Sequence, residues 1–285
     1  MADGSLLFVD LLHGTLSQIG SDRKVRVIAE TGGGPNGLAI GPDGAAYVCN
    51  NGGFEWHDNG GVLIPGHRAA NYKGGSIQRI DLVTGMVKVL YDSCDGRPLS
   101  GPNDIVFDKH GGFWFTDHGQ SDDRKRDHGA IYYALPDGSR ITCVRAELLS
   151  PNGIGLSPDG DCLYFADTLT GRLFAIDLDA PGVAAAPPAP WLPGRLIATL
   201  PGFQLLDSLK VEAGGNICVG TLVNGGVTVF TPGGEHEHLP FPDIAITNLV
   251  FGGPDMRDVW ATGSSSGRIY RCRWPRPGLP LAYNL

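Results

Sequence analysis

The sequence predicts an all-β protein: a six-bladed β-propeller of four-stranded antiparallel blades, its first blade lacking the innermost strand. Three observations carry this expectation. The chain holds 43 glycines and 21 prolines in 285 residues, well above the roughly 12% of average usage, which rules out a helical bundle or a coiled coil. With 42% apolar and 18% charged residues there is material for a packed core, so the glycines mark turns rather than disorder. Finally, one phrase returns along the chain: a Pro/Asn or Asp lead, an apolar strand, a glycine turn and a second apolar strand.

Taken in order, segment 2–30 (ADGSLLFVDLLHGTLSQIGSDRKVRVIAE) supplies the turn and the second, third and fourth strands of a first blade. The full phrase begins at Gly34 with GPNGLAIGPDGAAYVCN, and after an insertion from Phe54 to Lys73 its blade continues as GSIQRIDLVTG and MVKVLYD. GPNDIVFDKHGGFWFTD from Gly101 leads to GAIYYALPDGS and RITCVRA. SPNGIGLSPDGDCLYFAD from Ser150 leads to GRLFAIDLD, an Ala/Pro-rich insertion from Ala180 to Pro193, and RLIATL. LLDSLKVEAGGNICVG from Leu205 opens the fifth blade, and ITNLVFGGPDMRDVWATG from Ile246 fits the phrase more loosely. Between the turns apolar and polar residues alternate with period two, and Asp-Gly and Thr-Gly mark the hairpins. A β-sandwich would not restate one phrase in this way, whereas a four-stranded unit of about 40–50 residues is the signature of propeller blades. A single domain spanning residues 1–285 is expected.

The formal charge is −8 and no basic stripe interrupts it, which argues against nucleic acid and anionic membranes as partners and leaves small molecules and cations. Cys49, Cys94, Cys143, Cys162, Cys218 and Cys272 show neither a C-x-x-C pair nor metal-finger spacing. They read as ordinary thiols of a reducing compartment. The apolar run near the N-terminus is short, broken by Asp10 and without a basic leader, so a cytoplasmic protein is expected.

In a propeller the first strand of each blade lines the central channel, so equivalent lead residues gather around one axis. Here the leads are Asn36, Asn103, Asn152, Asp207 and Asn248. Buried amides and a carboxylate are costly unless each finds a partner, and a bound cation is one such partner. Ligation by oxygen alone favours calcium or magnesium, although zinc or manganese can also occupy carboxylate and carbonyl sites. Asn before Gly is also a good turn residue, so Asn36 and Asn248 divide between turn and ligand duty. The functional reading is stronger for Asn152 and Asp207.

The phrases GGPNGLAIGPDG, SGPNDIVFD, SPNGIGLSPDG and LLDSLKVEAGGNICVGTLVNGGVTVF resemble the senescence marker protein/gluconolactonase family of six-bladed propellers, in the family's order and essentially from Asp3 to Tyr283. The resemblance implies a lactonase of the gluconolactonase type that opens a sugar lactone or other small cyclic ester, with one divalent metal held by a Glu, an Asn and an Asp. By motif, Asn152 matches the metal Asn, and Asp207 the Asp that binds metal and acts as base. Asn103 matches the Asn that touches substrate or completes the metal shell. The family's Glu lies on the first inner strand. Lead residues precede the following turn by seven positions in the other repeats, so the turn at Asp3 puts that strand upstream of Met1. The expectation is therefore either a natural start upstream or a form with weakened metal binding. Glu30 ends an outer strand and Glu55 sits in an insertion, and neither is a good substitute.

Among the remaining residues, His118 reads as a turn histidine, and Phe54, Trp56 and His57 as parts of a lid or of a surface packing element. Segment 120–128 reads as a solvated loop, His236 and His238 as facing water, and Asp117 and Asp167 as supports of the lead residues. Two other readings stay open: a propeller that binds a protein or sugar without catalysis, and a strictosidine-synthase-like enzyme.

Overall fold

The computed structural model describes residues 4–284, which form strands and no helix. Six antiparallel sheets follow one another along the chain as the blades of a six-bladed β-propeller. The turn assigned to Asp3 lies outside the described residues.

The chain divides into two compact units, one of Met1–His57, Ile64–Glu147 and Leu281–Leu285, the other of Asp58–Leu63 and Leu148–Pro280. The first unit's sheets run Leu6–Asp10, Thr15–Ile19, Val25–Glu30; then Pro35–Ile40, Ala46–Asn50, Ser76–Ile80, Val87–Tyr91; then Pro102–Phe107, Phe113–Asp117, Gly129–Ala134, Ile141–Leu148. Those of the second run Pro151–Leu156, Cys162–Asp167, Arg172–Ala180, Arg195–Thr199; then Leu205–Val211, Ile217–Leu222, Gly226–Phe230, His236–Pro240; then Ile246–Gly252, Asp258–Gly263, Arg268–Arg273. In each full blade the strand that carries the lead residue is the inner one.

Strand counts depart from the expected four in three places. Among the described residues the first sheet has three strands, as anticipated. The fourth gains a short fifth strand, Val183–Ala184, from the Ala/Pro-rich insertion. The sixth also has three, because the chain beyond Arg273 meets Pro275, Pro277 and Pro280, which cannot donate to a ladder. It folds instead along the fifth blade, where Leu279 donates its amide to Val211 O at 2.9 Å and Ala213 to Pro277 O at 2.9 Å. The insertion after Gly53 is a hairpin, Phe54–Asn59 paired with Val62–Arg68.

The second strand of each full blade is sandwiched between sheets. Ala46–Asn50, Phe113–Asp117 and Cys162–Asp167 are buried at every position, so they read as continuous apolar runs rather than alternating ones. In the first unit Tyr47, Phe107 and Phe113 form the centre of this packing, with Tyr47 and Phe107 edge to face at 5.0 Å. In the second, Leu173, Leu206, Leu209, Val219 and Phe230 do the same.

Close approach of neighbouring inner strands explains one repeated glycine. A Cβ at Gly153 would lie 2.5 Å from Leu209 N and 2.6 Å from Asp207 O, both backbone atoms that cannot swing aside. We expect Gly153→Ala to cost about 1–3 kcal/mol, the range for overpacking, in urea denaturation. Gly214→Ala, with nothing within 4 Å of the added carbon, is the control and stays near wild type.

Candidate functional site

The lead residues share a backbone device that composition could not reveal. Just before the lead residue each inner strand is paired with the end region of the second strand: Pro35 with Asn50, Pro102 with Asp117, Pro151 with Asp167, Leu206 with Thr221. The register then slips and resumes at Leu38, Ile105, Ile154 and Leu209. Asn36, Asn103, Asn152 and Asp207 are the first residues of these bulges. A bulge bends its strand and re-aims a side chain, which is why bulges gather next to functional sites.

In the sixth blade the slip falls between Ile246 and Asn248. The residue equivalent to Asp207 is therefore Thr247, and Asn248 corresponds to Ser208. This corrects the placement of Asn248 among the leads. Asn248 Oδ1 accepts from the amide of Leu249 at 2.8 Å and from Lys210 Nζ at 3.3 Å, while the Thr247 hydroxyl pairs with Thr262 Oγ1 at 2.8 Å.

In three blades the entry to the bulge is clamped from the second strand. Asp117, 3% exposed, accepts the amides of Ser100 at 2.7 Å, Gly101 at 2.6 Å and Gly119 at 2.9 Å. Burial raises its carboxyl above the ordinary value, against the opposing effect of those three amides. Asp167 accepts the Ser150 amide at 3.1 Å, the Ser150 hydroxyl at 2.7 Å and the Thr170 hydroxyl at 2.9 Å. Both aspartates thus support the strands of Asn103 and Asn152, as the sequence suggested. Asn50 plays the same part in the second blade, its Oδ1 accepting from Gly34 and Gly52 at 3.0 Å each. Sequence reasoning missed Asn50, although its place at the end of YVCN matches that of Asp117 in FWFTD.

Asn103 is 7% exposed and its Oδ1 is buried without a hydrogen bond. Asn152 is 5% exposed and donates Nδ2 to Thr168 Oγ1 at 3.0 Å. Asp207, half-buried, accepts the Ser208 amide on Oδ1 at 3.0 Å. Asn152 and Asp207 stand on adjacent inner strands of the second unit, with Gly153 packed against the backbone of Asp207. Asn103 occupies the matching position in the first unit. Thr168 holds the Asn152 amide, so the near-isosteric Thr168→Val should cost about 1 kcal/mol, a typical net hydrogen bond, and is read by chemical denaturation.

Each of these residues offers a side-chain oxygen, and that of Asp207 belongs to a carboxylate. Among the described residues no group of three or more His, Cys, Asp and Glu could hold a metal. Within the second unit, Asn152 and Asp207 offer oxygen donors of the kind that hard divalent ions take; in the first unit, the buried Asn103 Oδ1 has no hydrogen bond. Glu30 is exposed at the end of its strand, as expected, and Glu55 is exposed on the first strand of the hairpin that the insertion forms.

Other residues fall out as follows. Phe54, Pro65 and Gly66 of the hairpin face His118, Gly119, Gln120, Ser121 and Arg126 across a cavity of about 170 Å³ within the first unit. The hairpin thus covers a recess beside the clamp, since Gly119 is one of Asp117's donors. His57 is exposed and Trp56 half-buried. His236 is exposed, but His238 is half-buried with Nδ1 3.1 Å from Thr228 Oγ1, which corrects the expectation that it faces water. Lys210, between the inner strands of the fifth and sixth blades, was not anticipated. Its Nζ donates to Leu209 O at 2.8 Å as well as to Asn248.

A model of the SMP-30/gluconolactonase/LRE-like region matches residues 1–265. The chain is 28% identical over 240 residues to a gluconolactonase of Zymomonas mobilis, covering 77% of this chain and 58% of that one. It is 31% identical over 235 residues to the lactonase drp35 of Staphylococcus saprophyticus, covering 81% and 64%. It thus spans about three fifths of the length of these relatives. Among solved structures, a gluconolactonase of Xanthomonas campestris superposes with a TM-score of 0.73 at 24% identity, covering 96% of this chain and 83% of that one. A calcium-binding protein, regucalcin, from Agrobacterium tumefaciens gives 0.73 at 19%, covering 98% and 91%. These likenesses show the fold.

Proposed function

The chain belongs to the SMP-30/gluconolactonase/LRE-like family, and on that premise we propose that it is a divalent-metal-dependent hydrolase of small cyclic esters. The observation that carries this is the placement of Asn103, Asn152 and Asp207 at the first residue of equivalent bulges. A non-catalytic scaffold has no need of a carboxylate at this position among amides.

In this reading Asn152 and Asp207 hold the ion, which supplies Lewis acidity toward an ester carbonyl. Calcium or zinc is favoured, with magnesium or manganese compatible with the same donors. Asp207 also takes a proton from the attacking water, a role that requires hydrogen-bond reach of that water and an ionised carboxylate. Its bond from the Ser208 amide fixes the carboxylate's orientation for that task. Asn103 serves a substrate oxygen or the ion through its buried Oδ1. Thr168 and Asp167 keep the Asn152 strand in place.

A panel of aldonolactones and unsubstituted small lactones, assayed with a pH indicator in the presence of calcium, zinc, magnesium or manganese, tests this. Metal-stimulated ring opening of at least one is expected. No turnover on any of them, with any of these metals, would move the weight to a binding protein.

A further inference from the structure

The connections around Asn152 and Asp207 carry an unusual surface. Six connections run along the ends of the second unit's blades where the inner strands begin; the last, residues 264–267, is Ser-Ser-Ser-Gly and polar, and the other five are residues 149–150, 168–171, 200–204, 223–225 and 241–245. Each of these five presents one large exposed apolar side chain, namely Leu149, Leu169, Phe203, Val223 and Ile244, which are between 44% and 75% exposed. The single ionisable side chain in these five segments is Asp243, which is 6% exposed and turned inward, accepting from Ala245 N at 2.8 Å and Ser265 Oγ at 2.6 Å. The result is an uncharged apolar rim.

The rim is tied to the candidate site by covalent and hydrogen-bonded links. Leu169 follows Thr168, whose hydroxyl holds Asn152, and donates its own amide to Ser150 Oγ at 2.8 Å. Phe203 stands four residues before Asp207. Gly171 O accepts from Leu200 N at 2.9 Å, and Ile244 O from Val223 N at 2.8 Å, so neighbouring connections are stitched together.

Val223 adds an independent sign. Its φ is +74°, a left-handed conformation in which a β-branched residue is a genuine outlier. Such strain persists where surrounding structure enforces it, and it clusters at ligand-binding positions. Here the enforcement is visible in the Val223–Ile244 bond and the adjoining Leu222–Ala245 bridge. Asn or Gly would meet the backbone demand without strain, yet the position holds an exposed apolar group.

We infer that this rim receives an apolar substituent, alkyl or aryl, carried by the lactone ring, so that the substrate class is a hydrophobic lactone rather than a polyhydroxylated one. The inference rests on the reading of the protein as a lactone hydrolase. A sugar lactone would leave its hydroxyls against the exposed Leu149, Leu169, Phe203, Val223 and Ile244 side chains, whereas an alkyl chain or ring would remove water-exposed apolar area where it meets any of them.

The test uses a non-hydrolysable six-membered lactam, with and without an octyl substituent, titrated calorimetrically into the wild type, a Phe203→Ser/Ile244→Ser double variant and Val223→Asn. The octyl lactam should bind wild type at least about tenfold more tightly than the bare ring, the factor that even one well-packed methylene provides. In both variants that ratio should fall toward unity, while Val223→Asn keeps or raises the wild-type melting temperature by releasing strain. Equal binding of the two lactams to wild type, or an unchanged ratio in the variants, overturns the inference. So does rim-dependent sedimentation with phosphatidylcholine vesicles without a lactam preference, which reassigns the rim to a membrane surface. Matching lactones are assayed in parallel. Rim-dependent lactam binding without ring opening of either lactone upholds the rim and defeats the hydrolase reading, and ring opening without a chain-length preference in binding does the reverse.

Discussion

Asp207→Asn should lower kcat/KM for any lactone the protein opens by about 10²- to 10⁴-fold, the contribution of a positioned general base. The substitution is nearly isosteric and keeps the oxygen that accepts the Ser208 amide, so the melting temperature should move little. That combination separates a chemical role from a structural one. If Asp207→Asn retained wild-type kcat/KM with the fold intact, Asp207 would be neither base nor essential ligand. Because the variant also removes the one carboxylate of the donor set, a parallel metal titration should show weaker binding, as expected when ligand charge is lost from a hard-ion site.

The second large effect concerns stability and lies away from the site. Glu212 is 1% exposed and accepts from Trp274 Nε1 at 2.7 Å, Arg276 Nε at 2.6 Å and Asn216 Nδ2 at 2.9 Å. This cluster fastens the segment after the last strand to the fifth blade. Arg276→Met would strip a buried carboxylate of its guanidinium. Breaking a buried pair by removing one partner costs about 3–5 kcal/mol, and the 36% exposure of the Arg276 side chain places the effect toward the lower end. Burial opposes ionisation of Glu212, but its bonds from Arg276, Trp274 and Asn216 prevail and hold its carboxyl below the ordinary glutamate value. A depressed folded value means that the stabilisation is fully present above the unfolded value of about 4.3 and is lost as pH falls through the folded one. Urea unfolding at pH 7 and at pH 4 should therefore show the gap between wild type and Arg276→Met narrowing in acid. A gap that is constant or widens in acid would contradict this account of Glu212.

How much of this was legible in the sequence depends on the range over which the signal acts. The blades were readable because their grammar is local: Pro-Asn before an apolar strand, Asp-Gly after it, and period two beyond. Asn103, Asn152 and Asp207 were readable as leads for the same reason. Asn248 was misplaced because its phrase has the right residues one step out of register, and a bulge is a relation between two strands rather than a property of one. The cluster of Glu212, Trp274 and Arg276 was invisible for a different reason. Its partners are 62 and 64 residues apart, and nothing in VEAGG or RWPRPG announces that one will bury the other. The strain at Val223 could not be seen either, since VNGG reads as an ordinary turn whose glycines would take the left-handed angles.

The most direct test of the central claim, that the bulged Asn152 and Asp207 hold a divalent ion used in ester hydrolysis, is the rate of lactone opening after chelation and stepwise return of metal. The account predicts loss of turnover in chelator, saturable recovery with calcium or zinc in the wild type, and no recovery in Asp207→Asn. Full turnover in the presence of chelator, or equal recovery in the variant, would contradict it.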